Sequence, residues 1–210
     1  MISLPSGVQS LPTTVPASWP RLVVLEGPDG VGKSTQARLL VEWLERSGER
    51  ARLSREPGGD AFAESIRDLL LATRVDPRTE LLCFEAARVR HLETVVNPLL
   101  AKGWWVVLDR FSPSTLVYQG EALGVETVLE LERLLSIPLP GLTVVLERSS
   151  PLVAMEVGDP YERGDLELWT RRMVHYRELA GELGWVTVSG EGGEEEVAGR
   201  IRPLLRGVAT

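Results

Sequence analysis

The sequence predicts an α/β chain, a five-stranded parallel sheet with helices on both faces. Continuous apolar runs rich in Val and Leu recur at residues 22–25, 104–108 and 142–146, and each reads as a strand covered on both sides. Between them, apolar residues return every three or four positions, so strands alternate with helices and must run parallel. A third observation lies between the first run and the first helix, where Gly27-Pro28-Asp29-Gly30-Val31-Gly32-Lys33-Ser34 spells GxxxxGK[ST]. Its glycines let backbone N–H groups curl around a phosphate without Cβ clashes, and the helix N-terminus that follows adds partial positive charge. Lys33 reaches the outer phosphates, the Ser34 hydroxyl can ligate Mg²⁺, and Thr35 continues the turn. This strand–loop–helix context implies a P-loop NTPase fold that binds a nucleoside di- or triphosphate.

The elements follow in order. After the loop, Ala37, Leu40, Val41 and Leu44 keep helical spacing until Gly48 closes the helix. Residues 51–54 form a second strand, which Arg55-Glu56-Pro57-Gly58-Gly59 breaks as a loop. Ala63, Ile66, Leu69 and Leu70 mark a helix, and Asp76-Pro77 reads as an N-cap with proline at the first helical position, opening a long helix to about Val96. The run 104–108 delivers Asp109 at its carboxyl edge, and short helices fill 114–119 and 125–135. After the run 142–146, Ser150-Pro151 caps a helix, and residues 157–164 read as a short loop. Leu166, Trp169, Met173, Tyr176, Ala180 and Leu183 give a helix, 185–188 the last strand, and Val197, Ile201 and Leu204 a closing helix. Residues 1–20 hold four prolines and no charge, which predicts a disordered tail before a single domain over 21–210. Every chemically suggestive loop falls at the carboxyl ends of the strands, where such sheets bind ligands.

Composition narrows the partners. With 210 residues, 25% charged and 43% hydrophobic, the chain suits one globular domain. Its net charge of −7 argues against a nucleic-acid polymer or an anionic membrane. A small phosphorylated ligand needs only a local cluster of cations. Of the 23 basic residues only Lys33 and Lys102 are lysine, so the P-loop keeps a compact point charge in an arginine-biased chain. One cysteine and two histidines can build neither a disulfide framework nor a zinc site, and Cys83 reads as a small buried hydrophobe in a helix. No segment has the length of a membrane span, and residues 1–20 lack the basic start and apolar block of a signal peptide, so the expected location is cytoplasmic.

Asp109-Arg110-Phe111 follows a buried strand, as the Mg²⁺-holding acid of P-loop enzymes does. Arg110 then lies near the phosphates and can stabilise charge during transfer. Arg55 and Glu56 share that edge. On the third helix Phe84 and Arg88 are i and i+4, so an aromatic face and a guanidinium point the same way. Alone, such a pair is more often core plus surface salt bridge; together with a phosphate loop it can stack on a base and bond its carbonyls. His91 reads as a structural hydrogen-bonder.

Several motifs in order resemble the thymidylate kinase family: Leu25 through Gln36 its P-loop, Arg55-Glu56-Pro57-Gly58-Gly59 its second loop, and Phe84…Arg88-x-x-His91 its thymine-contacting helix. Asp109-Arg110-Phe111-x-x-Ser114-Thr115-Leu116-x-Tyr118-Gln119-Gly120 is similar to the family's DRY…S-S-x-x-YQG block, and Pro140 through Glu147 to the strand before its lid. The resemblance covers about Leu22 to the C-terminus. It implies transfer of the ATP γ-phosphate to dTMP with Mg²⁺, by a homodimer. It assigns thymine stacking to Phe84, the carbonyl edge to Arg88, and the acceptor phosphate to Arg110. Asp29 would approach the sugar hydroxyl or the metal, Ser34 and Asp109 the metal, and Thr115, Tyr118, Gln119, Arg55 and Glu56 the substrate. Another nucleoside or nucleoside monophosphate kinase, or a catalytically weak nucleotide-binding module, is the alternative. A GTPase is disfavoured, since the only asparagine, Asn97, is followed by Pro98. The chain departs from the family pattern at Phe111, at Glu121-Ala122-Leu123-Gly124, and in the lid, where Asp159-Pro160 replaces Asp-Arg. With Gly30 in the P-loop, this leaves Arg163, Arg148, Arg171 and Arg172 as candidate donor-phosphate cations and predicts slow turnover. For dimerisation, the helix stripe Val89, Leu92 and Val96 is the expected contact.

Overall fold

A computed structural model of the chain describes residues 18–152 and 166–208. The expected lid at 157–164, the helix expected after Ser150-Pro151, and residues 1–17 of the tail lie outside them. The described elements run β1 (Ser18–Glu26), α1 (Lys33–Arg46), β2 (Ala51–Arg55), α2 (Ala61–Ala72), α3 (Pro77–His91), a π-helical turn (Leu92–Val96) and α4 (Asn97–Ala101). They continue with β3 (Trp105–Asp109), α5 (Ser112–Tyr118), α6 (Gly120–Leu123), α7 (Val125–Leu134), β4 (Leu139–Glu147), α8 (Leu166–Leu183), β5 (Val186–Ser189), α9 (Glu194–Ile201) and a closing 3₁₀ segment (Arg202–Gly207).

The five described strands form one parallel sheet in the order β2-β3-β1-β4-β5. Alternate residues of the central strands feed two faces. Val23, Leu25, Val107, Val144 and Leu146 pack with Ala37, Leu40 and Leu44 of α1 and with Val197 and Ile201 of α9. Leu22, Val24, Val106 and Leu108 pack with Leu92, Val96 and Leu100 on the opposite face. Both faces are therefore dry, as the continuous apolar runs require. The register sets Arg55 and Leu25 beside Asp109 and Glu147 beside Ser189, so the carboxyl ends align along one edge.

Three expectations change. First, β1 starts at Ser18, so the tail ends earlier than Pro20: Ser18 and Trp19 pair with Leu139 and Pro140 before the register shifts. Trp19 packs against the apolar cluster, an anchor that charge and proline counts do not reveal. Close approach at Gly141 makes this possible, because a Cβ there would stand 2.4 Å from the Pro20 carbonyl oxygen. Second, the long third helix does not run α-helical to Val96. Pro98 cannot donate to the carbonyl four residues back and its ring crowds that carbonyl, and the chain absorbs the mismatch as the π turn before α4. Third, of the stripe expected to dimerise, Leu92 and Val96 are core residues and only Val89 is exposed. Apolar side chains that do face solvent on this side are Leu82 and Val89 of α3 and Phe62 and Leu69 of α2, each pair seven residues apart. Cys83 is only half-buried.

Candidate active site

β1 ends in a buried glutamate, Glu26, and the chain turns at once into the loop 27–32. Gly30 (φ 77°) and Gly32 (φ 98°) occupy left-handed backbone, which lets Gly32 serve as N-cap of α1. Val31 turns its side chain into the core, so it can offer a ligand only its backbone. Lys33 lies folded back on the loop, its Nζ donating to the Pro28 carbonyl at 2.8 Å and to Asp29 Oδ1 at 3.4 Å. Ser34 Oγ donates to Asp109 Oδ2 at 2.5 Å, which brings together the two hard oxygen ligands expected for Mg²⁺. Among the described residues no group of three or more His, Cys, Asp or Glu side chains could hold a metal. A single Ser–Asp pair fits Mg²⁺, which takes few protein ligands and the rest from phosphates and water.

Two cavities meet beside this loop. The first, about 750 Å³, is lined by Gly30, Gly32, Lys33, Ser34, Thr35, Arg55 and Asp109 and is roomy enough for a nucleotide. The second is smaller and more apolar, lined by Leu70, Phe84, Arg88, Phe111, Thr115, Tyr118 and Gln119. Asp29, Glu56, Arg67 and Arg110 line both. Two cations therefore stand where the cavities join.

Arg88 is 3% exposed and closely held. Its Nε donates to Glu56 (2.8 Å), its Nη1 to Glu85 and Glu132, its Nη2 to Thr115 (2.7 Å), and its guanidinium lies 5.1 Å from the centre of the Phe111 ring. Four of its five N–H groups are thus engaged, leaving one on Nη2 at the cavity wall. Burial works against the Arg88 charge, but Glu85, Glu56 and Glu132 outweigh it and keep the guanidinium protonated. Glu56 Oε1 also accepts from His91 Nδ1 at 3.0 Å, and His91 Nε2 meets Ser54 Oγ at 2.8 Å, the structural role expected of that histidine.

Arg110 adopts left-handed backbone (φ 72°) and points across the junction to Asp29 and to Ser114 Oγ (2.9 Å). Tyr118 stands between two cations, with Arg110 at 5.3 Å and Arg172 at 4.2 Å from its ring centre. Gln119 donates to Glu80 (2.7 Å), and Arg55 is exposed and paired with Glu64 at the mouth of the larger cavity. Of the flanking arginines, Arg148 donates to the Ser150 carbonyl (3.2 Å) and the Gly190 carbonyl and pairs with Glu191, while Arg171 pairs with Glu121. Arg172 lies over the Tyr118 ring and lines a separate cleft with Leu70, Glu80 and Gln119, and Arg163 lies outside the described residues.

Sequence reasoning missed Arg67, Glu85, Glu132, Trp169 and Tyr176. Arg67 follows the helical pattern of α2 with nothing local to mark it. Trp169 and Tyr176 read as core residues of α8, which they are, but each also carries a polar tip. The indole of Trp169 donates to the Asp29 carbonyl at 2.7 Å.

A family model described as thymidylate kinase matches residues 25–201. A protein named thymidylate kinase from Synechococcus sp. (strain WH7803) is 38% identical over 205 residues, spanning 90% of this chain and 96% of its own. One of the same name from Neorickettsia sennetsu is 41% identical over 162 residues, spanning 75% of this chain and 80% of its own. The crystal structure of thymidylate kinase from Ehrlichia chaffeensis superposes with a TM-score of 0.73 at 27% identity, covering 90% of this chain and all of that one.

The acids around Arg88 give a pH test. Burial lifts the Glu132 carboxyl from 4.5 to about 7, with Arg88 pulling the other way. The unfolded chain releases this proton near 4.5 and the folded chain near 7, so the group's contribution to stability falls as pH rises through that window. The deficit approaches about 3 kcal/mol above it, at roughly 1.4 kcal/mol per pKa unit. Glu132→Gln removes the titration. Urea denaturation should show the variant losing less stability than wild type between about pH 5 and about pH 8, and equal losses would show that Glu132 is not the group responsible.

Proposed function

The chain belongs to the thymidylate kinase family and phosphorylates dTMP to dTDP with ATP as donor, and we propose that the two joined cavities divide that work. The larger cavity takes the triphosphate on the loop 27–35, and the smaller takes the thymine base. The observation that carries this division is the junction itself, where Arg67 and Arg110 face both sides.

Phosphoryl transfer requires alignment and neutralisation of charge more than proton chemistry. Lys33 leaves the Pro28 carbonyl to meet the outer phosphates, and the N–H groups of the loop and of the first turn of α1 surround them. Ser34 and Asp109 would hold Mg²⁺, which would supply positive charge to offset that of the donor phosphates. Arg110, with Arg67 beside it, draws the acceptor phosphate to the donor, and Asp29 keeps Arg110 aimed until that phosphate arrives. Phe84 stacks on thymine, and the remaining Arg88 N–H donates to a base carbonyl. An amino group at that position of the base, as in cytosine, would meet a donor with a donor and be rejected. Thr115 fixes Arg88, Tyr118 and Gln119 close the pocket, Glu56 lines both cavities, and Arg55 stands at the mouth of the larger one. No observation favours another kinase specificity or a non-catalytic module.

We place the enzyme in the cytoplasm as a homodimer acting on small nucleotides, apart from nucleic-acid polymers and membranes. No helix among the described residues is long and apolar enough to cross a membrane. The exposed pairs Leu82/Val89 and Phe62/Leu69 supply an apolar surface that a symmetry mate would cover.

Lys33→Ala should reduce kcat by at least about 100-fold while leaving the thermal unfolding midpoint near wild type, because a preorganised charge is lost from the transition state. Retention of a tenth of wild-type turnover would refute the P-loop role. Arg88→Ala should raise the KM for dTMP far more than that for ATP in a coupled assay of ADP release, and an unchanged dTMP KM would make this helix face merely structural. Sedimentation should give a mass twice that of the 23.1 kDa chain, and Leu82→Glu should return it to the monomer value.

A further inference from the structure

Arg110 carries the least favourable backbone in the site. Left-handed conformation costs a non-glycine residue about 1–2 kcal/mol and persists only where the surroundings over-determine it. Part of that restraint is local, since the Arg110 amide donates to the Leu25 carbonyl at 3.1 Å. The guanidinium is held by Asp29, by Ser114 Oγ and, at 3.4 Å each, by the hydroxyls of Tyr176 and Tyr118, while the turn behind it is held by Glu26. Glu26, fully buried, accepts from the amides of Phe111 (2.7 Å) and Ser114 (3.3 Å) on Oε1. On Oε2 it accepts from Ser114 Oγ (2.7 Å) and from the hydroxyl of Tyr176 (3.0 Å). Ser114 Oγ also lies 2.9 Å from that hydroxyl and receives Arg110 Nη1 at 2.9 Å. Tyr176 itself is fully buried on α8, its ring edge-on to Tyr118 with centres 6.5 Å apart.

We propose that Tyr176 is a positioning residue for phosphoryl transfer, holding Arg110 on the acceptor phosphate through Glu26 and Ser114. The proposal rests on the role given to Arg110 above. A phenol is suited to the task because its ring is immobilised by core packing, so its hydroxyl has a fixed place from which to orient a buried carboxylate. That carboxylate holds the Phe111 and Ser114 amides, which follow directly on Arg110, and the same hydroxyl group lies beside Ser114, which touches the guanidinium. Without the hydroxyl, Glu26 and Ser114 gain rotational freedom, and Arg110 loses aim while the base pocket, built on Phe84 and Arg88, keeps its shape.

The test uses Tyr176→Phe, which keeps the ring, Ser114→Ala, which cuts the same path without touching the ring, Arg110→Ala, and the double variant Tyr176→Phe/Arg110→Ala. Steady-state kinetics with dTMP and ATP is combined with the inhibition constant of thymidine, which has the base and sugar but no phosphate. Tyr176→Phe and Ser114→Ala are each expected to lose about 10-fold in kcat/KM for dTMP, the usual scale for a partner one layer behind a functional group. The thymidine constant and the KM for ATP should stay at wild-type values, and the double variant should be no worse than Arg110→Ala alone. A thymidine constant that shifts along with dTMP would mean general loosening of the pocket and overturn the proposal. So would wild-type activity in Tyr176→Phe, whatever Ser114→Ala shows, or additive losses in the double. If Tyr176→Phe does not fold, Ser114→Ala carries the same decision. Full activity in Arg110→Ala would instead remove the role assigned to Arg110, and this proposal with it, whereas a crippled Arg110→Ala with additive losses sinks the proposal alone.

Discussion

The parallel pairing of β1 with β3 is the constraint on which the site depends. It sets Leu25 opposite Asp109, so that the strand leading into the phosphate loop and the strand ending in Asp109-Arg110 finish side by side. Ser34, in the first turn of α1, then meets Asp109, and Arg110 reaches back to Asp29. A slip of one residue would move these partners by about 3.3 Å and send every side chain to the opposite face. Apolar packing forbids that slip twice over, because each strand buries residues on both sides: Leu22, Val24, Val106 and Leu108 on one, Val23, Leu25 and Val107 on the other. The accuracy of the polar site is inherited from this core.

Charge is arranged with equal economy and at a cost in stability. Arg88 sits among Glu56, Glu85 and Glu132, and Arg110 between Asp29 and the buried Glu26 side. Buried ion pairs seldom stabilise a fold relative to well-packed apolar residues. Here they hold two guanidinium groups rigidly at the walls of the cavities before substrate arrives, so little reorganisation remains for the reaction. Three carboxylates around one arginine leave surplus negative charge in a dry place, and burial answers by raising Glu132 and Glu85 so that they hold protons more tightly. The wall of the smaller cavity therefore keeps its own charge nearly balanced, with one Arg88 N–H left unengaged.

Much of this was legible in the sequence because it is written locally. A P-loop needs its glycines, lysine and serine within eight residues, a buried parallel strand announces itself as a short apolar run, and Phe84 and Arg88 share a helix face by spacing alone. What escaped depends on contacts between distant segments. Glu26 reads as part of the P-loop motif, and nothing near it predicts that Phe111, Ser114 and Tyr176 converge on its carboxylate from 85 to 150 residues away. Glu132 looks like one more acid on an amphipathic helix until Arg88, 44 residues earlier, arrives beside it. The break at Leu92–Val96 was marked by Pro98, but apolar spacing continues through it, and periodicity cannot separate α from π winding over five residues. The dimer stripe failed for a related reason: spacing shows that Val89, Leu92 and Val96 neighbour one another, while the sheet decides that two of them face inward.

α8 shows why residues of this kind stay hidden. Trp169, Arg172 and Tyr176 lie three and four positions apart, hence on one face, and each also serves the hydrophobic pattern or the surface of the helix. In the structure that face braces three parts of the site: Trp169 bonds the Asp29 carbonyl of the phosphate loop, Arg172 covers the Tyr118 ring, and Tyr176 meets Glu26. The loop 27–32, the smaller cavity and the Arg110 turn therefore share one rigid support. An aromatic that packs the core with its ring and orients a carboxylate with its tip satisfies both demands with a single side chain, so nothing in its sequence position betrays the second. It follows that stability and activity are tied together along this helix, and that isosteric changes, which spare packing and remove only the polar tip, are the ones that separate them.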